Sequence, residues 1–454
     1  MTKLLVHGGT LVHADAVSRC DLLIEDGRIL AVGTDLGSTD HGSANGADAA
    51  SLTRLDASGL LVFPGLVDSQ VHFREPGLEH KEDLASGSLA CVAGGVTAFC
   101  EMPNTKPPTT SPEALADKLE RAAGRSWADY AFFLGASHEN AEALGAWEQL
   151  QGCAGVKIFM GSSTGTLLVP DDETLERILR SGKRRVAVHS EDELLLQEQY
   201  ARAPKGSPYR VHPDVRSVET AVRSTRRLLD LVEKTGRKVH LLHVSTAEEV
   251  AMLRERQLGD LVTAEATPNH LFLCAPNCYE RWGAMAQMNP PVRDERHQRA
   301  LREAICDGTI SVIGSDHAPH TREEKVRPWP DSPSGIPGTQ TILPLLLTAV
   351  HEGWLRLEDI VRLLGTGPTR VYGIEGKGRL APGFDADFVL VDPKVDDALP
   401  LAWLRSRVAW SPYEGKPLHG WPTRTFLRGV ETYGKHVTHG APQGRPLRYN
   451  AGAE

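Results

Sequence analysis

The strongest constraint on this chain is a rhythm in its middle. Between about residues 60 and 370, eight short, apolar, β-branched runs alternate mostly with segments of helical period. They are "LLVFPGLVDS" (60–69), "VTAFCEM" (96–102), "DYAFFLG" (129–135), "GVKIFM" (155–160), "RVAVHS" (185–190), "KVHLLHV" (238–244), "LVTAEAT" (261–267) and "ISVIGSD" (310–316). Continuous apolar character, rather than in–out alternation, suits a strand covered on both faces. The intervening segments carry helix-start chemistry. "SPEALADKLERAAG" sets Ser111 as N-cap with Pro112 at the first helical position. "STAEEVAMLRERQ" offers Ser245 or Thr246 as cap, with acids in the first turn. Buried strands alternating with helices predict a parallel sheet, and eight units predict a closed (β/α)8 barrel. No internal repeat of fixed period is present.

The two ends read differently. Residues 3–35 contain "LLVHGGTLV" and "CDLLIEDGRILAVG", with "EDG" as a hairpin-type turn. Residues 36–53 are rich in Gly, Ser, Asp and Ala and read as a loop. "GRLAPGFDADFVLVDP" (378–393) and "TRTFLRGVETYG" (423–434) return to strand character. The expected architecture is therefore α/β: a TIM-like barrel over 60–374, with 1–59 and 375–454 combining into a small β-sandwich domain. A chain of 454 residues can hold both.

Composition narrows the function classes. Fifty basic and 59 acidic residues give a net charge of −9, with no long run of either sign, which argues against a nucleic-acid or anionic-membrane surface. No apolar run approaches the ~20 residues of a membrane helix, and the apolar stretch in "MTKLLVHGG" is too short for a signal peptide. Seven cysteines, an odd count, point to a reducing, cytoplasmic compartment. Cys274 and Cys278 flank a proline, but no second pair completes a zinc knuckle.

Polar residues collect at the C-terminal ends of the eight runs, where barrel active sites are built. Run 1 ends in Gln70, His72 and Arg74, spaced two apart and so able to share one face if the strand extends that far. Run 2 leads to Asn104, run 4 carries Lys157, run 5 ends with His189, run 6 with His243 and run 8 with Asp316. Taken singly, each has a plain structural reading. A histidine packs and hydrogen-bonds, Lys157 pairs with a buried acid, Asp316 caps a turn. Their joint placement favours a metal-dependent site. His270 reads as supporting structure, and His317 as pointing away from Asp316 along its strand.

The segments "DSQVHFREPG", "EMPNTKPP", "GVKIFMGSSTG", "AVHSED", "LLHVST", "EATPNHLFL", "MNPPVRD", "GSDHAPHT" and "LAPGFDADFVLVDP" together resemble the amidohydrolase superfamily. Within it they are most similar to the cyclic amidohydrolases of the dihydroorotase family. That resemblance implies zinc, one or two ions per chain, bridged by a carboxylated Lys157. It implies His189 and His243 as ligands of one ion, and His72 and Asp316 as ligands of the other. It implies Asp316 as the acid/base and Arg74, Asn104, Asn289 and His320 as substrate-binding residues. The implied reaction is reversible hydrolysis of a cyclic amide, between dihydroorotate and N-carbamoyl-L-aspartate in pyrimidine synthesis. A small molecule is the substrate, and a homodimer or higher homo-oligomer is implied.

Gln70 departs from the pattern, because histidine usually stands there. A carboxamide oxygen is a weaker metal ligand than imidazole. Three outcomes stay open: Gln70 ligates through oxygen, water takes its place, or the ion of His72 and Asp316 binds weakly. Two alternatives accompany the main reading: a dihydropyrimidinase, hydantoinase or allantoinase on the same scaffold, and a non-catalytic structural partner of aspartate transcarbamoylase. The stretch 321–340, rich in Pro and Gly, reads either as a lid over substrate or as a surface loop.

Overall fold

A computed structural model of the protein describes residues 3–37, 52–163 and 167–450. Most of the expected loop at 36–53, and positions 164 and 165 at the end of "GVKIFMGSSTG" with 166 after them, lie outside the described residues.

Eight strands form one parallel sheet in chain order: β1 (Leu66–Val71), β2 (Val96–Glu101), β3 (Asp129–Gly135), β4 (Cys153–Phe159), β5 (Val186–His189), β6 (Val239–Leu241), β7 (Val262–Ala266) and β8 (Val312–Ile313). Every neighbouring pair is parallel. A parallel bridge between Val71 and His317 joins the last strand's extension to β1, making a (β/α)8 barrel. Its strands are buried at nearly every position, which is why they read as unbroken apolar runs.

The helix signals resolve as chemistry. Ser111 accepts from the Ala114 N–H ahead of Pro112–Ala122. Of the two candidate caps before Ala247–Arg256, Thr246 is the one used, in a reciprocal capping box with Glu249.

The first apolar run is divided in two. Leu61–Pro64 belongs to a different sheet from β1 and pairs with Phe388–Ala398. Gly65 is the crossing point. A Cβ there would lie 2.2 Å from Thr97 Oγ1 and 2.7 Å from Asp387 Cβ, so only glycine lets the chain pass. Sequence continuity hid this break, because both halves are apolar and extended.

Leu61–Pro64 sits in a seven-stranded sheet built from both chain ends, packed against a four-stranded sheet of N-terminal strands. Val6, Leu22, Ile24 and Ile29 of one sheet meet Val62, Phe388, Leu390 and Phe426 of the other. The "EDG" turn is a two-residue hairpin, with Asp26 and Gly27 at φ 48° and 79° and Glu25 opposite Arg28. The last described residues leave the sandwich for the barrel: the Tyr130 N–H donates to the Arg445 carbonyl at 3.0 Å. Leu447 packs into the barrel interior with Phe133 and Tyr372.

Candidate active site

The residues singled out at the strand ends converge on one rim. Three of them, Arg74, His243 and Asp316, adopt left-handed backbone at φ 67°, 37° and 47°. Such conformations cost a non-glycine residue on the order of 1–3 kcal/mol and persist only where surroundings over-determine them. Three at the same rim mark where the fold spends stability to aim side chains.

On the β1–β8 side, His72 Nδ1 lies 2.8 Å from Asn104 Oδ1. A carboxamide oxygen only accepts, so the ring proton sits on Nδ1 and Nε2 keeps its lone pair. Nε2 lies 3.1 Å from Asp316 Oδ1. The Gln70 amide donates to the same oxygen at 3.1 Å, and its own Oε1 is buried with no hydrogen-bond partner among the described residues.

On the β4–β6 side, His189 Nδ1 lies 3.1 Å from His243 Nε2. The other nitrogen of His189 is 3.0 Å from Glu191 Oε2. Burial works against charge on Glu191, but Arg216 and His189 outweigh it and hold the carboxyl well below its usual range. Arg216 Nε lies 3.1 Å from both carboxylate oxygens. An ionised Glu191 beside Nε2 favours the ring proton on that nitrogen and leaves His189 Nδ1 with its lone pair toward the site. Burial lowers the basicity of His72, His189 and His243 alike, so all three rings are neutral ligand-type imidazoles.

Lys157, fully enclosed on β4, has its amine pulled down to about 7 by burial, with Asp316 and Glu265 opposing. Near neutral pH much of it is free amine, the form that can take up carbon dioxide.

This donor set fits a divalent cation. Ligand atoms about 2.0–2.1 Å from a tetrahedral ion lie roughly 3.3 Å apart. The His189–His243 and His72–Asp316 spacings, each 3.1 Å, are close to that edge. In both pairs at least one lone pair faces its neighbour, and buried His243 Nδ1 and Gln70 Oε1 have no hydrogen-bond partner among the described residues.

The residues expected at the substrate lie as follows. Arg74 donates from Nε to the Pro319 carbonyl at 3.2 Å, and its outer nitrogen meets His320 Nε2 at 3.1 Å. Asn104 holds His72. Asn289 Oδ1 faces His212 Nε2 at 3.0 Å. His270 is held between Thr267 and the Pro290 carbonyl, and His317 accepts from the Gly338 N–H, turned away from Asp316. The 321–340 segment is packed down: Trp329 is buried against Tyr200, and Lys325 donates to the carbonyls of Gln287, Pro333 and Gly335.

Two residues escaped the sequence reading. Glu191, two past His189 in "HSED", carried a usable signal in its spacing. Arg216 carried none, since only folding brings it to Glu191.

Asp129, Asp385 and Asp387 also bring three carboxylates together, at the barrel's other rim. There the cation is the protein's own. Lys377 Nζ bonds Asp129 and lies 3.0 Å from Asp385 and 2.6 Å from Asp387, and Arg428 adds 2.8 Å to Asp129.

The amidohydrolase family profile matches residues 61–431. A dihydroorotase of Methanosarcina acetivorans is 34% identical over 441 residues, covering 94% of this chain and 91% of the relative. An allantoinase of Deinococcus radiodurans is 35% identical over 459 residues, covering 98% of each. Among solved structures, a dihydropyrimidinase from Brevibacillus agri superposes with a TM-score of 0.90 at 27% identity, covering all of both chains.

Proposed function

The chain belongs to the amidohydrolase family, and from that premise we propose that this hydrolase of cyclic amides is a dihydroorotase, interconverting dihydroorotate and N-carbamoyl-L-aspartate. One observation carries the choice of substrate: a buried guanidinium, Arg74, faces His320 on the same rim as the His72–Asp316 pair. Burial lowers the Arg74 guanidinium only to about 10, so it stays cationic at neutral pH. A buried cation at that position suits a substrate carboxylate, which dihydroorotate has and dihydrouracil lacks.

His189 and His243 would hold one zinc ion and His72 and Asp316 the other, with a carboxylated Lys157 as a ligand available to both and Gln70 Oε1 as a further donor on the His72–Asp316 side. When bound, zinc polarises the ring carbonyl and makes hydroxide available near neutral pH. The chain's own residues do the rest. Asn104 fixes the His72 tautomer, and Glu191 fixes that of His189. Arg74 orients the ring by its carboxylate. Asp316 accepts a proton as water attacks and delivers it to the departing ring nitrogen. In the synthetic direction the same carboxylate takes that proton back.

The likeness to an allantoinase over nearly the full length favours a second reading, hydrolysis of allantoin. Purified protein assayed on dihydroorotate, dihydrouracil, hydantoin and allantoin, with metal analysis of the same sample, separates the two. Turnover of dihydroorotate at least tenfold above the others in kcat/KM supports the proposal. Preference for allantoin overturns it. A metal-free protein inert on all four would instead fit a structural partner.

A further inference from the structure

Behind the Arg74–His320 pair stands a second buried cation. Lys81, from "EHKED" ahead of helix Leu84–Ala93, is 8% exposed and places Nζ 3.1 Å from His320 Nδ1. Glu324 holds it there: its Oε1 lies 3.2 Å from the ammonium, and its Oε2 lies 3.7 Å from His320 Nδ1. His320 itself is fully buried, and its Nε2 lies 3.1 Å from both Arg74 and the Ser334 carbonyl.

Those four contacts cannot all be satisfied by either imidazole tautomer. An ammonium donates and never accepts, so Nδ1 must be the acceptor and the ring proton must sit on Nε2. Nε2–H then donates to the Ser334 carbonyl, and the Arg74 N–H faces another donor. Because Ser334 engages that one proton, the ring offers Arg74 no lone pair, and the outer N–H of Arg74 stays available to one oxygen of an anion. Were Lys81 absent, the ring could place its proton on Nδ1, next to Glu324. It would then accept from Arg74 through Nε2 and quench the guanidinium internally.

We infer that Lys81, held by Glu324, is a positioning residue that locks His320 as the Nε2–H tautomer, unable to accept from Arg74, and so keeps the outer N–H of Arg74 available for the substrate carboxylate. The inference rests on the dihydroorotase reading and assigns a specificity role to a residue that touches neither substrate nor metal.

The test compares steady-state kinetics on dihydroorotate for the zinc-loaded parent, Lys81→Met and Lys81→Arg, with zinc content measured on each. The parent must turn over dihydroorotate; if it does not, the functional reading itself fails, and this inference with it. Given that turnover, Lys81→Met should raise KM for dihydroorotate by about tenfold, the loss of one charge-assisted hydrogen bond. Its kcat should stay within about twofold and its zinc content should not change. Lys81→Arg, which also only donates, should recover most of the KM. An unchanged KM in Lys81→Met, or kcat and zinc falling together with KM, overturns the inference. Should Lys81→Met fail to fold, Glu324→Gln takes its place: it loosens Lys81 and should raise KM a few-fold, and an unchanged KM there is equally fatal.

Discussion

The two rims of the barrel each gather a buried polar cluster, and they are solved in opposite ways. At one rim, Asp129, Asp385 and Asp387 surround the Lys377 ammonium, with Arg428 completing the charge balance. Lys377 is raised above the usual lysine range because the three carboxylates outweigh its burial. That cluster is closed and ties the C-terminal sandwich strands to β3. At the other rim, neutral imidazoles, an amide and an amine of weakened basicity face one another with lone pairs and unpartnered atoms remaining. Counting carboxylates alone would have pointed to the first cluster as the metal site. Asking which polar atoms still lack a partner points to the second. Unmet coordination, rather than acidity, distinguishes a functional cluster from a structural one.

The comparison is open to attack. The largest effect is expected from Lys157→Ala. Turnover should fall by about a thousandfold or more, the several kcal/mol that metal chemistry supplies, and zinc per chain should fall with it; normal turnover would remove the bridging carbamate. Next is Lys377→Met, which strands buried carboxylates. Denaturant unfolding should show a loss of about 3–5 kcal/mol, with zinc stoichiometry intact; zinc loss instead would merge the two rims' roles. Arg74→Met should lower kcat/KM for dihydroorotate by about a hundredfold, from lost charge-assisted hydrogen bonds, while zinc stays bound. Equal loss of both would make the arginine structural. Glu191→Gln should weaken zinc affinity by about 10–100-fold through the freed His189 ring, read by competition with a chromophoric chelator; unchanged affinity would make the Glu191–Arg216 pair a packing element. The smallest effect belongs to Gln70→His, expected to raise occupancy of the zinc position at His72 and Asp316 a few-fold by replacing an oxygen with an imidazole ligand. No gain would mean that the glutamine oxygen already suffices.

The barrel was legible because parallel strands buried on both faces have no choice but continuous apolar sequence, and the spacing of eight such runs leaves few closures. Ser111 and Thr246 were legible because helix caps are local, set within three residues. The chemistry-bearing side chains were legible as a list, since they fall at strand ends. The break at Gly65 was not, because the sequence is equally apolar on both sides and only the approach of Thr97 and Asp387 divides it. Nor was the partner of any site residue. Arg216 meets Glu191, Lys81 meets His320, and Lys377 meets three aspartates from two domains. By itself, the sequence determined which elements form and which residues stand at their ends. The tertiary structure alone decided who faces whom, and with it each proton's position and each charge's fate. Tautomers and ionisation depend on contacts a few ångströms long between residues up to hundreds of positions apart, and no local pattern records them.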